Sequence, residues 1–257
     1  MKRRQLIRYG GASLLAVTGT VLTSKFSPSQ AQTGGNLSIQ WLGHTCFLFT
    51  GGGLRVLVNP FQTLGCTAGY RQPQVNADIV LISSFLLDEG AAETVPGNPK
   101  VLYEAGAFEF KNVDFQGIGI AHDRNEGRRF GTNVAWRWTQ AGVRILHLGG
   151  AAAPINIDQK ILMGRPDVAL IPVGGGAKAY NAQEAKKAMK VLNPKLVIPT
   201  HYFTSKADKE QCDIAPVDDF LTAVEGTPVS KLESSTTTVS SGRLPKDGPA
   251  IRVMSYQ

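Results

Sequence analysis

One stretch constrains this chain more than any other. Four apolar residues of strand character, Ile79-Val80-Leu81-Ile82, run directly into Ser83-Ser84-Phe85-Leu86-Leu87-Asp88-Glu89-Gly90. A short apolar run bounded by turn residues reads as a buried strand. Such a strand needs neighbours on both edges and cover on both faces, so the rest of the chain must build layers around it. The loop that leaves it ends in two adjacent carboxylates, Asp88 and Glu89, and contains no histidine.

The flanking sequence supplies the partners. Leu37–Leu42, Cys46–Thr50 and Leu54–Val58 read as strands, the last two joined as a hairpin by Gly51-Gly52-Gly53. Asn59-Pro60 ends the third, because proline cannot donate to a ladder. Further strands are predicted over Val101–Tyr103, Phe108–Phe110, Val113–Ala121, Asn133–Thr139 and Val143–Leu148. Beyond residue 150 strands alternate with helices. Helices are predicted over Asp158–Met163, Ala182–Leu192 and Val217–Val224, and strands over Val168–Val173 and Leu196–Pro199. Asn181 caps the middle helix with Glu184 three residues on, and Asn193-Pro194 stops it. Strand-rich first and alternating later, the pattern predicts a layered α/β fold.

Residues 1–31 stand apart. Lys2, Arg3, Arg4 and Arg8 precede an apolar stretch from Tyr9 to Leu22, and Ser29-Gln30-Ala31 is a small-x-small cleavage site. This is a signal peptide, and Arg3-Arg4 followed by Gln5-Leu6-Ile7 points to the twin-arginine route. Residues 32–257 are then expected as a single exported domain in the periplasm, or in a thylakoid lumen if the source has one. The apolar run is short for a stable membrane span. The leader holds five of the 27 Lys and Arg and none of the 20 Asp and Glu. The mature chain therefore has 22 bases against 20 acids, and its basic clusters (Arg128-Arg129, Lys186-Lys187) are only pairs. A nucleic-acid partner would need a basic patch, so none is expected. Hydrophobic content of 42% and charged content of 18% are those of a globular chain. An exported protein can carry a disulfide. Of three cysteines, Cys46 lies in strand sequence as a core thiol, and Cys66 and Cys212, both in polar loops, make the better pair.

Chemistry-bearing residues are few. His44, His122, His147 and His201 are the whole histidine complement. His44, His147 and His201 end a strand or lie just beyond one, where binding groups collect on a rigid scaffold. His122-Asp123 opens a polar loop with Arg124, Arg128 and Arg129, which either gathers an anionic group or is simply solvated. Gly174-Gly175-Gly176 reads as a tight turn, since no Gly-Lys-Ser/Thr follows it.

Taken in order, six segments resemble a known family: Trp41-Leu42-Gly43-His44-Thr45-Cys46-Phe47, Val58-Asn59-Pro60-Phe61, Asp78–Ser83, His147-Leu148-Gly149, Asp167–Gly175 and Pro199-Thr200-His201-Tyr202. They are similar to successive motifs of the metallo-β-lactamase superfamily, in the branch of small metal-dependent hydrolases resembling L-ascorbate-6-phosphate lactonase. The resemblance implies a four-layer αββα sandwich. It also implies an H-x-H-x-D-H metal motif directly after the strand ending at Ser83. On that motif the two first-metal histidines fall on Ser84 and Leu86, the aspartate on Asp88 and the last histidine on Glu89. The later family histidines match His147 and His201, the metal-bridging aspartate falls on Gly150, and the D-P-F aspartate is Asn59.

Two expectations follow from this resemblance. The first metal site keeps only His147, because Leu86 cannot ligate and serine is a poor zinc ligand. Asp88, Glu89 and His201 retain the chemistry of a second site for one Zn²⁺, Mn²⁺ or Fe²⁺, unless Asp88 merely caps a turn and Glu89 faces solvent. Asp88, Glu89, His147 and His201 are thus the candidate metal residues, and His44 and His122 the candidate catalytic ones. The expected function is either a non-catalytic binding or accessory protein with no metal, or a hydrolase with one metal at the remaining site. A small ester, lactone or phosphorylated molecule would be its substrate. The sequence carries no sign of oligomeric state.

Overall fold

The computed structural model describes residues 35–246 and 248–256. The signal segment expected over residues 1–31 lies outside them. Among the described residues no helix is long and apolar enough to cross a membrane.

Two sheets carry the structure. Strands β1 (Leu37–Gly43), β2 (Cys46–Gly51), β3 (Leu54–Val58), β4 (Ile79–Leu81) and β5 (Lys100–Leu102) follow one another in the first sheet. Strand β13 (Thr236–Val239) returns to pair antiparallel with β1. The second sheet contains β6 (Gly106–Phe110), β7 (Val113–Ala121), β8 (Thr132–Gln140), β9 (Val143–His147), β10 (Val168–Pro172) and β11 (Leu196–Thr200). Strands β14 (Ala250–Val253) and β12 (Val229–Lys231) complete it beyond β11. Helices α1 (Ile157–Met163), α2 (Ala182–Leu192) and α3 (Val217–Ala223) connect its second half.

Burial follows from the sequence pattern. In β1 alternate residues are buried, as a strand with one covered face requires. The parallel strands β10 and β11 are buried at every position, covered on both faces. One continuous core joins the facing sheets through Ile39, Phe49, Val56, Phe115, Trp138 and Ile145. Two buried side chains stitch the layers with polar bonds. Trp136 Nε1 in β8 donates to the Ile82 carbonyl beside β4 at 3.0 Å. Gln140 Nε2 donates to the carbonyls of Gly51 (3.0 Å) and Leu54 (2.8 Å), each an otherwise costly buried group.

The helices lie against the second sheet, α1 on β7 and α2 on β10, with α3 packed on α2. Reciprocal side-chain caps start two of them, Asn156 with Gln159 and Asn181 with Glu184. Asn193 closes α2 in the left-handed region at φ 45°. The first sheet is covered differently. Its outer residues Cys46, Leu57 and Val80 pack against Phe61, Tyr70 and Val95 from the loops. The sandwich is the one expected, with its fourth layer made of coil and 3-10 turns. The loop sequences there lack a helical apolar stripe, so side chains and not a helix face close that core.

Cys66 and Cys212 form a disulfide across 146 residues of chain, with Cα atoms 4.6 Å apart, while Cys46 is a buried free thiol. A cross-link of that span contributes about 2–4 kcal/mol. A second tie holds the chain entering β10. Asp167 accepts from the Arg144 backbone N–H and from its guanidinium (all 3.0 Å), and Lys195 Nζ lies 2.9 Å away. Burial alone would raise the Asp167 carboxyl, but the Arg144 bonds outweigh it and hold the group well below the usual carboxylate range. A depressed carboxylate contributes stability above its unfolded pKa, about 4, and that contribution is lost as pH falls through the acid range. Asp167→Asn should therefore lower the unfolding midpoint at pH 7, by about 1–3 kcal/mol, and much less near pH 2. Parallel denaturant melts at the two pH values check this; equal losses at both would refute it.

Candidate metal centre

Strand ends build the site. His44 follows β1, Asn59 follows β3, Ser83 and its loop follow β4, His122 follows β7, His147 ends β9 and His201 follows β11. Three of these residues, His44, Asn59 and His201, hold positive φ of 51–52°. Non-glycine residues in the left-handed region are costly and persist where the surroundings fix them. The β4 loop is fixed in turn by the second sheet: Val134 N donates to the Ser83 carbonyl at 2.7 Å.

Glu89 is at the centre of this loop and only 2% exposed, so the expectation of a solvent-facing glutamate is overturned. Three groups surround its carboxylate. Ser84 Oγ donates to Oε1 at 2.6 Å, His122 Nε2 lies 3.0 Å from the same oxygen, and Asn59 Nδ2 donates to Oε2 at 3.5 Å. Burial raises the Glu89 carboxyl, but the His122 imidazole more than offsets it and keeps the group ionised. Asp88 points the other way. Its Oδ2 carries the ammonium of Lys178 and faces His44 Nε2 at 3.7 Å. Against the effect of burial, His44 and Lys178 push its carboxyl far down. Asp88 therefore forms an ion pair instead of capping a turn.

His44 and His201 pack edge to face, ring centroids 4.1 Å apart. Burial, with His44 and Lys178 adding to it, lowers His201 well below the ordinary imidazole range, so it is neutral at pH 7. The Nδ1 atoms of both rings have no hydrogen-bond partner among the described residues. His147 does not join them. Its Nε2 faces the Thr45 carbonyl at 3.0 Å, and its Nδ1 accepts from the Gly149 N–H at 3.0 Å. Both ring nitrogens are thus committed to backbone, and burial brings the group down to about 4. Of the four candidate metal residues, Asp88 and His201 both lie against His44, Glu89 turns to His122 and Ser84, and His147 turns to backbone.

The His122 loop organises itself. Asp123 accepts from the backbone N–H groups of Asn125, Gly127, Arg129 and Phe130 at 2.7–3.0 Å. Its arginines do not converge on an anion. Arg124 pairs with Glu184, Arg128 with Glu126, and Arg129 stacks over Phe130. Arg124 also donates to the carbonyls of Gly176 (2.8 Å) and Ala179 (2.9 Å), clamping the glycine turn after β10. Beside the β4 loop a cleft of about 470 Å³ is walled by Ser84, Phe85, Leu86, Tyr103 and Phe130.

A β-lactamase superfamily domain model matches residues 38–201, more than half of the chain. The chain belongs to the metallo-β-lactamase superfamily. It is 27% identical over 206 residues to a metal-dependent hydrolase of Thermoplasma acidophilum, covering 68% of this chain and 89% of that one. Another, from Methanoregula boonei, is 28% identical over 214 residues, 74% of this chain and 90% of its own. Among solved structures, a protein of Thermotoga maritima assigned to the Zn-dependent hydrolases of this superfamily superposes with TM-score 0.67 at 28% identity. That match covers 86% of this chain and all of the other. These relatives place the chain in the small-hydrolase branch.

A superfamily of metal-dependent hydrolases implies a divalent metal, and the donor chemistry is present in name. The arrangement does not fit one. Among the described residues, no three His, Cys, Asp or Glu side chains are grouped so as to hold an ion. Asp88 is occupied by Lys178, Glu89 by Ser84, Asn59 and His122, and His147 by backbone. The place of the superfamily's bridging aspartate is closed as well. A Cβ on Gly150 would lie 2.5 Å from His122 Nε2 and 3.1 Å from Glu89 Oε2. Lys178 was not found by sequence reasoning. Its signal was a single base among Gly174-Gly175-Gly176-Ala177 and Ala179, on a turn leaving a buried strand at the histidine end of the sheet.

The close approach at Gly150 makes a sharp expectation. Gly150→Ala should lower stability by about 1–3 kcal/mol, because His122 and Glu89 are buried and have no room to yield. Gly150→Asp should cost more, through a third carboxylate against Glu89. Denaturant midpoints for both variants measure this, and wild-type stability in Gly150→Ala would show that the contact does not exist.

Proposed function

We propose that this chain is an exported member of the metal-dependent hydrolase branch that has lost the first metal site and serves as a non-catalytic binding or accessory protein. The observation that carries the reading is the set of residues where the first metal would sit. Ser84 and Leu86 stand in place of its histidines, and His147, the one that remains, gives both ring nitrogens to backbone. Without a metal-bound hydroxide a hydrolase of this kind loses its nucleophile, and metal activation of water accounts for several kcal/mol of barrier lowering. The apolar cleft beside Ser84, with Phe85 and Tyr103 exposed and their rings 5.3 Å apart, suits a small-molecule ligand.

A second reading has its own support: the unpartnered Nδ1 atoms of His44 and His201 are the kind of atoms a metal takes. On that reading one Zn²⁺, Mn²⁺ or Fe²⁺ would be held by Asp88, Glu89 and His201, and the protein would hydrolyse a small ester, lactone or phosphorylated molecule. Elemental analysis of the purified protein, with hydrolysis assays on chromogenic esters, lactones and phosphates, decides between them. The proposal expects no stoichiometric metal, no turnover above background, and a melting temperature that Zn²⁺ and Mn²⁺ leave unchanged. About one ion per chain, lost in both Asp88→Ala and His201→Ala, would overturn it.

Export by the twin-arginine route is supported by the Arg3-Arg4 leader and by the Cys66–Cys212 disulfide, a bond that persists in oxidising compartments. Replacing Arg3 and Arg4 with lysine should leave the protein inside the cytoplasm with Cys66 and Cys212 reduced. Fractionation with thiol labelling reads both at once. Undiminished export of that variant would refute the route.

A further inference from the structure

The ammonium of Lys178 lies in an unusual place. Three of the four positions that the superfamily's motif gives to the second metal site are Asp88, Glu89 and His201; Asp88 meets the ammonium directly, and His201 packs on the His44 ring that faces the same carboxylate. The fourth, the bridging-aspartate position, is Gly150, whose nearest atoms are His122 Nε2, Glu89 Oε2 and the backbone carbonyl of Lys178. Lys178 Nζ contacts Asp88 Oδ2, the same oxygen that His44 Nε2 faces at 3.7 Å. The residue is held there from both ends. Its side chain is only 21% exposed, and Arg124 fixes the turn on either side through the Gly176 and Ala179 carbonyls.

We propose that Lys178 is the resident cation of this site: its ammonium takes the place of the second metal ion, and its removal opens a site for one divalent cation. This rests on the reading above that the protein works without metal, and extends it to the second site. The physics is that of charge burial. Asp88 and Glu89 are adjacent carboxylates whose side chains are only 15% and 3% exposed, and carboxylates so enclosed need a cation beside them. A tethered ammonium supplies it permanently, needs no uptake of metal, and blocks the carboxylate oxygen that an ion would require. Beside it the Nδ1 atoms of His44 and His201 are bare, both rings only 2% exposed. An ammonium can only donate, and the contact this one makes is with Asp88. With the ammonium gone, a divalent ion would find an oxygen lone pair on Asp88 and nitrogen lone pairs on the neighbouring His44 and His201 rings.

The test is metal binding by the full-length protein with Lys178→Ala and Lys178→Met, the methionine keeping most of the apolar stem. Zn²⁺ and Mn²⁺ are the probes, read by elemental analysis after dialysis and by thermal melting. Wild type is expected to retain no ion, and each variant about one, with Zn²⁺ affinity at least about tenfold tighter than wild type and a raised melting temperature. Adding Asp88→Ala to either variant should abolish the gain. If a variant is unfolded without metal, Zn²⁺ or Mn²⁺ should restore its cooperative melt, because the ion supplies the missing charge. Folded variants that take up no metal, or unfolded ones that no metal rescues, would overturn the inference and leave the metal-free reading standing. Stoichiometric metal in wild type with Lys178 in place would overturn both.

Discussion

Two ionised carboxylates, adjacent in the chain and nearly removed from water, are the constraint from which the rest of this site follows. An uncompensated buried charge costs several kcal/mol, a large share of the stability of any single domain. Here the charges are met by side chains. Successive residues send their carboxylates to opposite partners, Asp88 to Lys178 and Glu89 to His122 and Ser84. Each carboxylate is thus compensated separately, and neither is free to share an ion with the other.

The departures from the superfamily motif are easier to understand together than singly. Where the motif has a histidine this chain has Glu89, a carboxylate that accepts hydrogen bonds in place of a neutral nitrogen ligand. Where it has the D-P-F aspartate this chain has Asn59, turning an acceptor into a donor. The two meet: Asn59 Nδ2 donates to Glu89 Oε2, while Asn59 Oδ1 accepts from the Ser83 N–H at 2.9 Å. An aspartate at position 59 would set two carboxylates against each other in a buried space. Ser84, at the place of another motif histidine, donates to the same glutamate. Gly150, at the place of the bridging aspartate, leaves room for His122 to reach it. Asn59, Ser84 and Glu89 thus form one hydrogen-bonded set, with the His122 ring against the same glutamate.

This division between what the sequence shows and what it hides has a physical cause. The layers were legible because they rest on local periodicity: alternating burial in β1, continuous burial in β10 and β11, and an asparagine cap with its matching glutamate on α2. The disulfide was legible because only two cysteines lay in loop sequence. Which way Glu89 faces depends on His122 and Asn59, each about thirty residues away in sequence, and no periodicity reports on such a contact. Lys178 is harder still, ninety residues from Asp88 and on a turn whose glycines suggested only tightness. The direction of the His147 ring is likewise set by two backbone groups, at Thr45 and Gly149, that a motif comparison never considers. A motif specifies residue types at positions; the site is made by partners.

A site in which side chains stand where we propose a metal would otherwise sit needs something else to hold it in shape. A metal ion cross-links several strand ends at once, with directional bonds that fix each ligand. An ammonium makes weaker bonds, and a lysine side chain is intrinsically mobile. The rigidity must then come from the scaffold, and the structure shows where. Arg124 pins the Lys178 turn to the start of α2, the Val134 N–H holds Ser83, and Asp123 fixes the loop next to His122 with four backbone bonds. The positive φ values of His44, Asn59 and His201 show the same pressure: conformations that are unfavourable alone are kept because each residue is packed or bonded on several sides. Taken this way, the arginine that sequence reading placed in a possible anion cradle has a different use. It supports the cation, so that the charge paired with Asp88 stays where the fold needs it.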